Sequence, residues 1–319
     1  MTDGLTCWVV TDGKRGTENQ CLGLAAALGV TPVIKRITPR RPWALGLPHF
    51  RLGLRWALDP SGDQVAPPWP RLLISSGRQS LAAALWIKRQ AGDAVYWAHI
   101  QDPKMRLAEF DLVITPRHDR LSGANVMLTE GALHRVTPHL LSEQSDLWRD
   151  RLAHLPAPRL AVLIGGNSGA YVLDAPRMGE IADMLHDLAE QGTGLMVTTS
   201  RRSGEDNQAI LSARLSGHEN VHMWDGEGDN PIFGYLGLCD RIAVTADSVS
   251  MLSEAASTGK PVHVIDLEGG SAKFHRFHDR FAQLGITRPL QSPLPESWGY
   301  DALQETADAA ARIRSELQL

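Results

Sequence analysis

The segment Asp12-Gly-Lys-Arg-Gly-Thr-Glu-Asn-Gln20 gathers residue types that bind anions and move protons. It contains two glycines, two cations and the carboxylates Asp12 and Glu18. At the amino end of a helix, free N–H groups and a positive dipole attract a phosphate or sugar oxygen. The segment does not match the P-loop pattern, because no glycine stands five residues before Lys14 and no Ser or Thr follows it. It is predicted to bind a ligand, and an ordinary capped turn is the alternative interpretation.

The segment Gly165-Gly-Asn-Ser-Gly169 follows an apolar run in the second half of the chain. Its glycines lack the G-x-G-x-x-G spacing, and no acidic residue ends a second strand about 20 residues later, which argues against an NAD site. Small residues can let an anionic ligand approach the backbone closely. A tight turn that needs glycine for its φ values is the alternative interpretation.

Two further polar segments favour phosphate binding. Thr198-Thr-Ser-Arg-Arg202 combines hydroxyls with two guanidinium groups, which bond phosphate oxygens in pairs; solvated arginines are the alternative. In Thr245-Ala-Asp-Ser-Val-Ser-Met-Leu-Ser-Glu254, Ser248 is predicted to cap a helix whose free N–H groups could hold phosphate. Glu254, about two turns further on, is placed to meet a pair of sugar hydroxyls.

The histidines predict no metal centre. His218 and His222 flank a probable strand, and the segment Phe274-His-Arg-Phe-His278 lacks carboxylates at ligand spacing. The sequence contains no D-x-D motif. We therefore expect no required metal and no cofactor.

The elements that position these segments are predicted by a repeated pattern of a short apolar run, a polar loop and a helical stretch. This pattern is typical of a parallel α/β sheet, in which ligands bind at the carboxyl ends of the strands. In the first unit of this kind, Thr17 and Gln20 are predicted to form a capping box. The stretch Leu155-Pro-Ala-Pro158 interrupts the pattern, and a second series of units starts after it.

Two α/β domains are therefore predicted. Residues 1–155 form the first and residues 156–319 the second, with a helical stretch from about Tyr300 to Leu319 that can dock back on either domain.

The composition excludes several classes of protein. Of the 319 residues 43% are hydrophobic and 21% charged, and no apolar run approaches the length of a membrane span, so the disordered and transmembrane classes do not apply. A net charge of -4 does not suit a general nucleic-acid binder. The amino-terminal sequence lacks a secretory signal, and three cysteines without a C-x-x-C pair indicate a reducing compartment, so we expect a cytoplasmic protein.

Residues 39–58, PRRPWALGLPHFRLGLRWAL, interleave arginines with tryptophans and leucines. Such a segment suits an anionic membrane surface, and the protein would then be peripheral at the inner membrane face. The alternative interpretation is a helical excursion that packs on the sheet with an arginine-rich outer face.

Taken together, these segments resemble the bacterial relatives of the plant mitochondrial-fission (elongated-mitochondria) protein family, within the GT-B glycosyltransferase superfamily. Their order along the chain is specific. The matching segments are TDGKRGTENQCLGLA, SSGRQS, QDP, TEGALHRVTP, GGNSGAY, TTSRR and TADSVSMLSEA. The resemblance implies two Rossmann-like domains facing each other across a cleft, with the nucleotide sugar on the second.

The resemblance also implies roles for individual residues. Those expected to hold the donor are Gly165, Gly166, Ser168, Thr199, Arg201, Arg202, Thr245, Asp247, Ser248, Ser250 and Glu254. Those expected on the acceptor side are Gly13, Lys14, Gly16, Asn19, Gln20, Arg78 and Gln101. The candidate general bases are Glu18 as first choice, Asp12 as second, and Asp102.

The implied activity is a metal-independent transfer of a sugar from a nucleotide-sugar donor to an envelope or lipid-linked glycan acceptor. Cations and helix N–H groups would stabilise the departing nucleotide diphosphate. Two alternatives remain open. One is a non-catalytic interaction protein of the mitochondrial-fission type, and the other is a nucleotide-sugar epimerase on the same fold.

Overall fold

The apolar runs of the sequence form the strands of two separate parallel sheets. The computed structural model describes residues 5–38, 40, 53, 56, 58–59 and 61–319. The chain divides into two compact units, of which the first comprises Met1–Arg135 with Gln304–Leu319 and the second comprises Val136–Leu303.

The first unit is a six-stranded α/β unit. Its strands are Cys7–Thr11 (β1), Val33–Arg36 (β2), Leu72–Ser76 (β3), Tyr96–Ile100 (β4), Leu112–Pro116 (β5) and Val126–Thr129 (β6), and its first two described helices are Arg15–Ala27 (α1) and Leu81–Ala91 (α2). All neighbouring strands are parallel, in the order β2-β1-β3-β4-β5-β6. Every residue of β1 and β3 is buried, as expected for central strands covered on both faces.

The second unit repeats this architecture. Its helices are Pro138–Trp148 (α3), Ala175–Glu190 (α4), Glu205–Leu215 (α5), Ile232–Leu238 (α6), Val249–Ala256 (α7) and Ala272–Gln283 (α8). Its strands are Arg159–Ile164 (β7), Tyr171–Val172 (β8), Gly194–Thr199 (β9), Val221–Met223 (β10), Arg241–Thr245 (β11), Val262–Ile265 (β12), Glu268–Gly269 (β13) and Thr287–Pro289 (β14). Six strands form a parallel sheet in the order β10-β9-β7-β11-β12-β14, while β8 and β13 form a small antiparallel pair.

The core of the second unit lies on both faces of its sheet. Along β7, Leu160, Val162 and Ile164 join one buried apolar cluster, whereas Ala161 and Leu163 join the other. This alternation follows from the two-residue period of a strand. Because both faces are buried, the strand reads in the sequence as a continuous apolar run.

The two units divide between Arg135 and Val136, earlier than the sequence-predicted boundary at residues 155 and 156. Helix α3 accounts for the difference because it packs in the second unit. The Trp148 ring meets the Tyr235 ring of α6 edge to face at 6.0 Å, and both side chains belong to one buried cluster. The proline-containing stretch Leu155-Pro-Ala-Pro158 therefore marks the start of β7 and not the boundary between the units.

The last helix, Glu305–Leu317 (α9), belongs to the first unit. Its buried residues Ala309, Ala310 and Ile313 join the same apolar cluster as Leu24 of α1. Arg314 also donates to the Ala27 carbonyl at the end of α1, at 2.7 Å. The first unit is therefore built from two separate segments of the chain.

The predicted capping box at Thr17 and Gln20 is wrong. Helix α1 begins at Arg15, with Lys14 as the N-cap residue. The Thr17 hydroxyl instead lies 3.0 Å from the Lys14 carbonyl oxygen, and the Gln20 side chain is buried. The helix starts before the position that Thr17 would cap, which removes both halves of the motif.

Within the described part of the chain, no helix combines the length and the apolar character that a membrane span requires.

Candidate functional site

Three loops of the second unit meet at the carboxyl edge of its sheet. They follow β7, β9 and β11, which are adjacent in the strand order, so their first residues emerge side by side. The sequence-predicted segments 165–169, 198–202 and 245–254 all lie at this edge. We call these three loops the strand-end cradle.

Hydroxyl groups at or just after the ends of β9 and β11 form hydrogen bonds to the backbone of Gly165, which follows β7. The Gly165 N–H donates to Thr245 Oγ1 at 2.7 Å. The Gly165 carbonyl accepts from the hydroxyls of Ser200, at 2.6 Å, and Ser203, at 2.5 Å. One residue after β7 is thereby fixed by the loops on both sides of it.

A buried carboxylate lies at the centre of the cradle. The Asp247 side chain has no solvent exposure, and its Oδ2 is 2.7 Å from Nη2 of Arg202, whose side chain is 41% exposed. The same oxygen accepts the Gly166 N–H at 3.2 Å. The other oxygen, Oδ1, is buried and has no hydrogen-bond partner among the described residues. The guanidinium is therefore oriented by a fixed carboxylate while part of it faces solvent.

The two glycines of the cradle are required because neighbouring atoms lie too close to their Cα atoms for a side chain to fit. A Cβ at Gly165 would lie 2.3 Å from Asp247 Oδ1. A Cβ at Gly166 would lie 2.2 Å from the Arg202 carbonyl oxygen, and the φ of Gly166 is +148°, which disfavours other residues. The tight-turn interpretation of this segment and its predicted place in the site are thus both compatible with the structure.

Helix α7 begins directly after the buried carboxylate. The Ser248 side chain accepts the Met251 N–H at 3.4 Å, so the predicted N-cap is confirmed. The amino terminus of an α-helix attracts anions through its N–H groups and its dipole. Arg202, held by Asp247, and this helix end bring N–H donors that can bond a phosphate group to the same edge of the sheet.

The remaining predicted donor residues have varied surroundings. Thr199 accepts from Gln208 Nε2 at 2.9 Å, and the Ser168 hydroxyl accepts backbone N–H groups within its own turn. Arg201 is exposed, Ser250 is half-buried, and Glu254 is buried within α7. Their predicted contacts with the donor stay predictions.

His278 of α8 joins the cradle without having been singled out by the sequence. Its Nε2 is 2.9 Å from the Ala246 carbonyl oxygen, so this nitrogen carries the proton and donates. Burial lowers the pKa of His278, which favours the neutral ring. The nearby Tyr171 hydroxyl has its pKa raised by burial and by Asp266 and Asp247. Its sequence segment lacks carboxylates at ligand spacing and so predicts no metal ligand, and no local motif indicates its contact with Ala246.

The carboxyl edge of the first sheet carries the three predicted bases. Asp12 Oδ2 is 2.8 Å from Lys14 Nζ, and Asp102 Oδ2 is 2.6 Å from Lys104 Nζ. Both oxygens of Glu18 accept from the Arg36 guanidinium, at 2.8 and 3.1 Å. Each candidate base is therefore paired with a cation.

The acceptor-side residues of the sequence prediction differ in their exposure to solvent. Gly13, Lys14 and Gly16 are exposed in the first loop, and Arg78 is exposed in a short 3-10 turn after β3. The half-buried Gln101, at the end of β4, has a φ of +81°, which is rare for a residue other than glycine. Asn19 is half-buried and Gln20 buried within α1, so Gln20 is the least accessible of the set.

A serine–histidine pair below this edge is part of the core. His99 Nδ1 lies 2.8 Å from Ser75 Oγ, which also accepts from Trp97 Nε1. Both Ser75 and His99 are fully buried, and burial lowers the pKa of His99 to about 3. A neutral histidine and an inaccessible hydroxyl do not make a nucleophile for a bound substrate.

The predicted membrane-binding segment, residues 39–58, lies mostly outside the described residues. Its role stays a prediction.

The two parallel sheets, with helices between their strands and polar loops after them, define a GT-B type α/β protein with Rossmann-like units, as predicted. Solved structures share this fold. The UDP-GlcNAc 2-epimerase of Methanocaldococcus jannaschii matches with a TM-score of 0.60 at 10% identity, covering 98% of this chain and 99% of that one. Os79 of O. sativa, in complex with UDP, matches with a TM-score of 0.52 at 10% identity, covering 98% and 91%.

The sequence comparison is more specific. The family model described as mitochondrial fission ELM1 matches residues 15–317. The mitochondrial fission protein ELM1 of Arabidopsis thaliana is 30% identical, over 97% of this chain and 90% of the plant protein. The chain belongs to the mitochondrial fission ELM1 family, which confirms the predicted resemblance.

Proposed function

We propose that this protein is a metal-independent glycosyltransferase. The nucleotide-sugar donor binds at the strand-end cradle, and the acceptor is an envelope or lipid-linked glycan. The observation that carries the proposal is the Arg202–Asp247 pair beside the amino terminus of α7.

The donor diphosphate fits the chemistry of the cradle. A guanidinium bonds phosphate oxygens in pairs, and the free N–H groups at the start of α7 add donors that need no metal. Because Asp247 already orients Arg202, little ordering is required when the ligand binds. Similar folds in complex with UDP, such as Os79, support a nucleoside diphosphate as the common part of the ligand.

In the transfer step, a base on the acceptor side removes the proton of the attacking hydroxyl while the nucleotide diphosphate leaves. Glu18 is the first candidate for this base, before Asp12 and Asp102. Arg202 and the α7 N–H groups stabilise the negative charge that develops on the departing diphosphate. Ser248, Ser250 and Glu254 are assigned to the donor phosphate and ribose.

Binding is tested by calorimetry and thermal unfolding with UDP, GDP, ADP, CMP and their sugars. A ligand at 100 times its Kd should add about 2.7 kcal/mol of stability. We expect Ser248→Ala and Glu254→Gln to weaken the binding at least tenfold. Ser257→Ala is the matched control, because its hydroxyl bonds the Glu254 carbonyl at the other end of the same helix. Equal binding by all three variants would remove the donor site from this position.

Catalysis is tested by product analysis with and without added acceptors. Glu18→Gln should lose turnover while keeping donor affinity, and full turnover under conditions where chemistry limits the rate would exclude Glu18 as the base. A sugar nucleotide altered with no acceptor present would instead favour the epimerase, whose fold this chain shares.

A second candidate is an interaction protein without catalytic activity. The 30% identity to a plant mitochondrial fission protein favours it. Its expected signature is a well-folded protein that binds none of the nucleotides in the panel.

A further inference from the structure

A second cluster of chemically active side chains lies at the opposite edge of the second sheet. His186 and Glu190 are on the last turns of α4, and His218 is in the loop that enters β10. One potential ligand atom from each of the three residues lies within 4.8 Å of the others. Since α4 ends just before β9 and His218 just precedes β10, the cluster is at the amino edge of the sheet, away from the cradle.

The backbone under this cluster is fixed by hydrogen bonds. The Asn220 side chain donates to the Ala189 carbonyl at 2.9 Å and to the Thr193 carbonyl at 2.8 Å. These bonds connect the loop that carries His218 to the end of the helix that carries the other two residues. The three side chains therefore stay near one another without any ligand.

The spacing of the donor atoms suits a small cation. His186 Nδ1 and His218 Nε2 are 2.8 Å apart, and Glu190 Oε1 is 3.6 Å from His218 Nδ1. In a tetrahedral zinc site with bonds of about 2.0 Å, neighbouring ligand atoms lie about 3.3 Å apart. An ion between the two facing nitrogens requires the histidines to separate only slightly. Glu190 now lies beside the other ring nitrogen of His218, Nδ1, so its side chain, which is 63% exposed, must swing towards Nε2 to complete the set.

The electrostatics of the helix end also favour a cation. Asp187 and Glu190 lie in the last turn of α4, where no basic residue occurs. The carboxyl end of a helix carries partial negative charge, which acidic side chains reinforce. A divalent cation would offset both.

We propose that His186, Glu190 and His218 form a zinc site of the two-histidine, one-carboxylate type, with water as the fourth ligand. The bound ion fastens the end of α4 to the entry of the edge strand β10 and stabilises the second unit. This site is independent of the proposed transfer reaction, which is expected to need no metal.

The test uses the full chain after dialysis against a chelator, titrated with ZnCl2 by calorimetry. We expect one equivalent of zinc to bind, and each of His186→Gln, His218→Gln and Glu190→Gln to weaken binding at least tenfold. His139→Gln is the matched control: His139 and Glu143 form the same i,i+4 pair on α3 at 3.2 Å, with no second histidine in the described contact.

Two further readouts separate a metal site from a structural pair of histidines. Zinc should raise the midpoint of thermal unfolding of the parent chain and of His139→Gln, but not of His218→Gln. Co²⁺ should give the visible absorption of a tetrahedral complex. Absence of saturable binding to the parent chain, or undiminished binding to Glu190→Gln, an exposed position where folding is not at stake, overturns the proposal.

Discussion

At the carboxyl edge of the second sheet, a fully buried carboxylate holds an arginine of a neighbouring loop, and three loops are joined through one glycine. At the corresponding edge of the first sheet, Asp12 and Asp102 pair with lysines two residues away, whose side chains are 67% and 71% exposed. The second edge is preorganised by contacts distant in sequence, whereas these first-edge pairs are local and rearrange easily. A fixed edge suits a diphosphate of constant shape, and an adjustable edge suits groups that must exchange partners during a reaction.

The largest expected effect comes from removing the cation of the buried pair. Arg202→Ala leaves the Asp247 carboxylate buried with the Gly166 N–H as its described donor. It should cost about 3 kcal/mol of unfolding free energy, the low end for a buried pair, because the guanidinium is partly exposed. Urea denaturation measures the loss. Arg201→Ala, at the exposed neighbouring position, is the control and should stay within about 0.5 kcal/mol. Similar losses in both variants would contradict the preorganised second edge.

The first unit does contain a buried carboxylate, but backbone groups satisfy it. Glu305 of α9 accepts the Gly131 N–H at 2.9–3.0 Å, and burial raises its pKa to about 7. The folded state therefore holds a proton that the unfolded state releases near pH 4.5. This contribution is complete below about pH 4.5 and is lost as the pH rises through 7, by about 3 kcal/mol.

Glu305→Gln should flatten this part of the pH profile of stability, followed by urea denaturation between pH 4.5 and 8. Subtracting the variant's profile from that of the parent chain removes the titration of the buried histidines, which affects both. The exposed Glu296→Gln should leave the slope unchanged. An unaltered slope in Glu305→Gln would assign the pH dependence to other groups.

Backbone geometry provides a second way to disrupt the cradle. Gly166→Ala places a Cβ against the Arg202 carbonyl at an unfavourable φ, and should cost about 2 kcal/mol. Gly169→Ala, three residues later, meets nothing within 4 Å and is the control. We expect the first variant alone to lower both the thermal midpoint and nucleotide affinity.

The smallest effect is expected at the first edge. Lys104→Met removes the partner of Asp102 and should change stability by less than about 1 kcal/mol, because the lysine is largely exposed. Chemical denaturation of Lys104→Met and Arg202→Ala under the same conditions compares their losses of unfolding free energy directly. A loss as large as that of the arginine variant would remove the distinction between the two edges.

Sequence patterns predicted the fold and the segments that reach the strand ends, because continuous apolar runs and the polar residues after them are local signals. The role of Ser248 as a helix N-cap could be predicted for the same reason. Contacts between residues far apart in the sequence could not be predicted in this way. Gly166 and Asp247 are 81 residues apart, and nothing near either residue in the sequence indicates that the N–H of one bonds the carboxylate of the other.

The histidines show the same limit. His218 was considered as a pair with His222, four residues later, but in the structure it pairs with His186, 32 residues earlier. The capping box failed because the helix begins at Arg15, so that Thr17 already lies within its first turn and Gln20 further inside. Local spacing identifies a motif, while packing decides whether its residues are available to form it.

The placement of α9 in the first unit has a consequence for the order of folding during synthesis. Residues 136–303, the whole second unit, are translated between the two segments that build the first. On the ribosome the second unit is complete before Ala309 and Ile313 can fill the core beside α1, so that core stays open meanwhile. The unit encoded first is therefore the one that matures last, and its exposed apolar surface is what a chaperone would meet on the nascent chain.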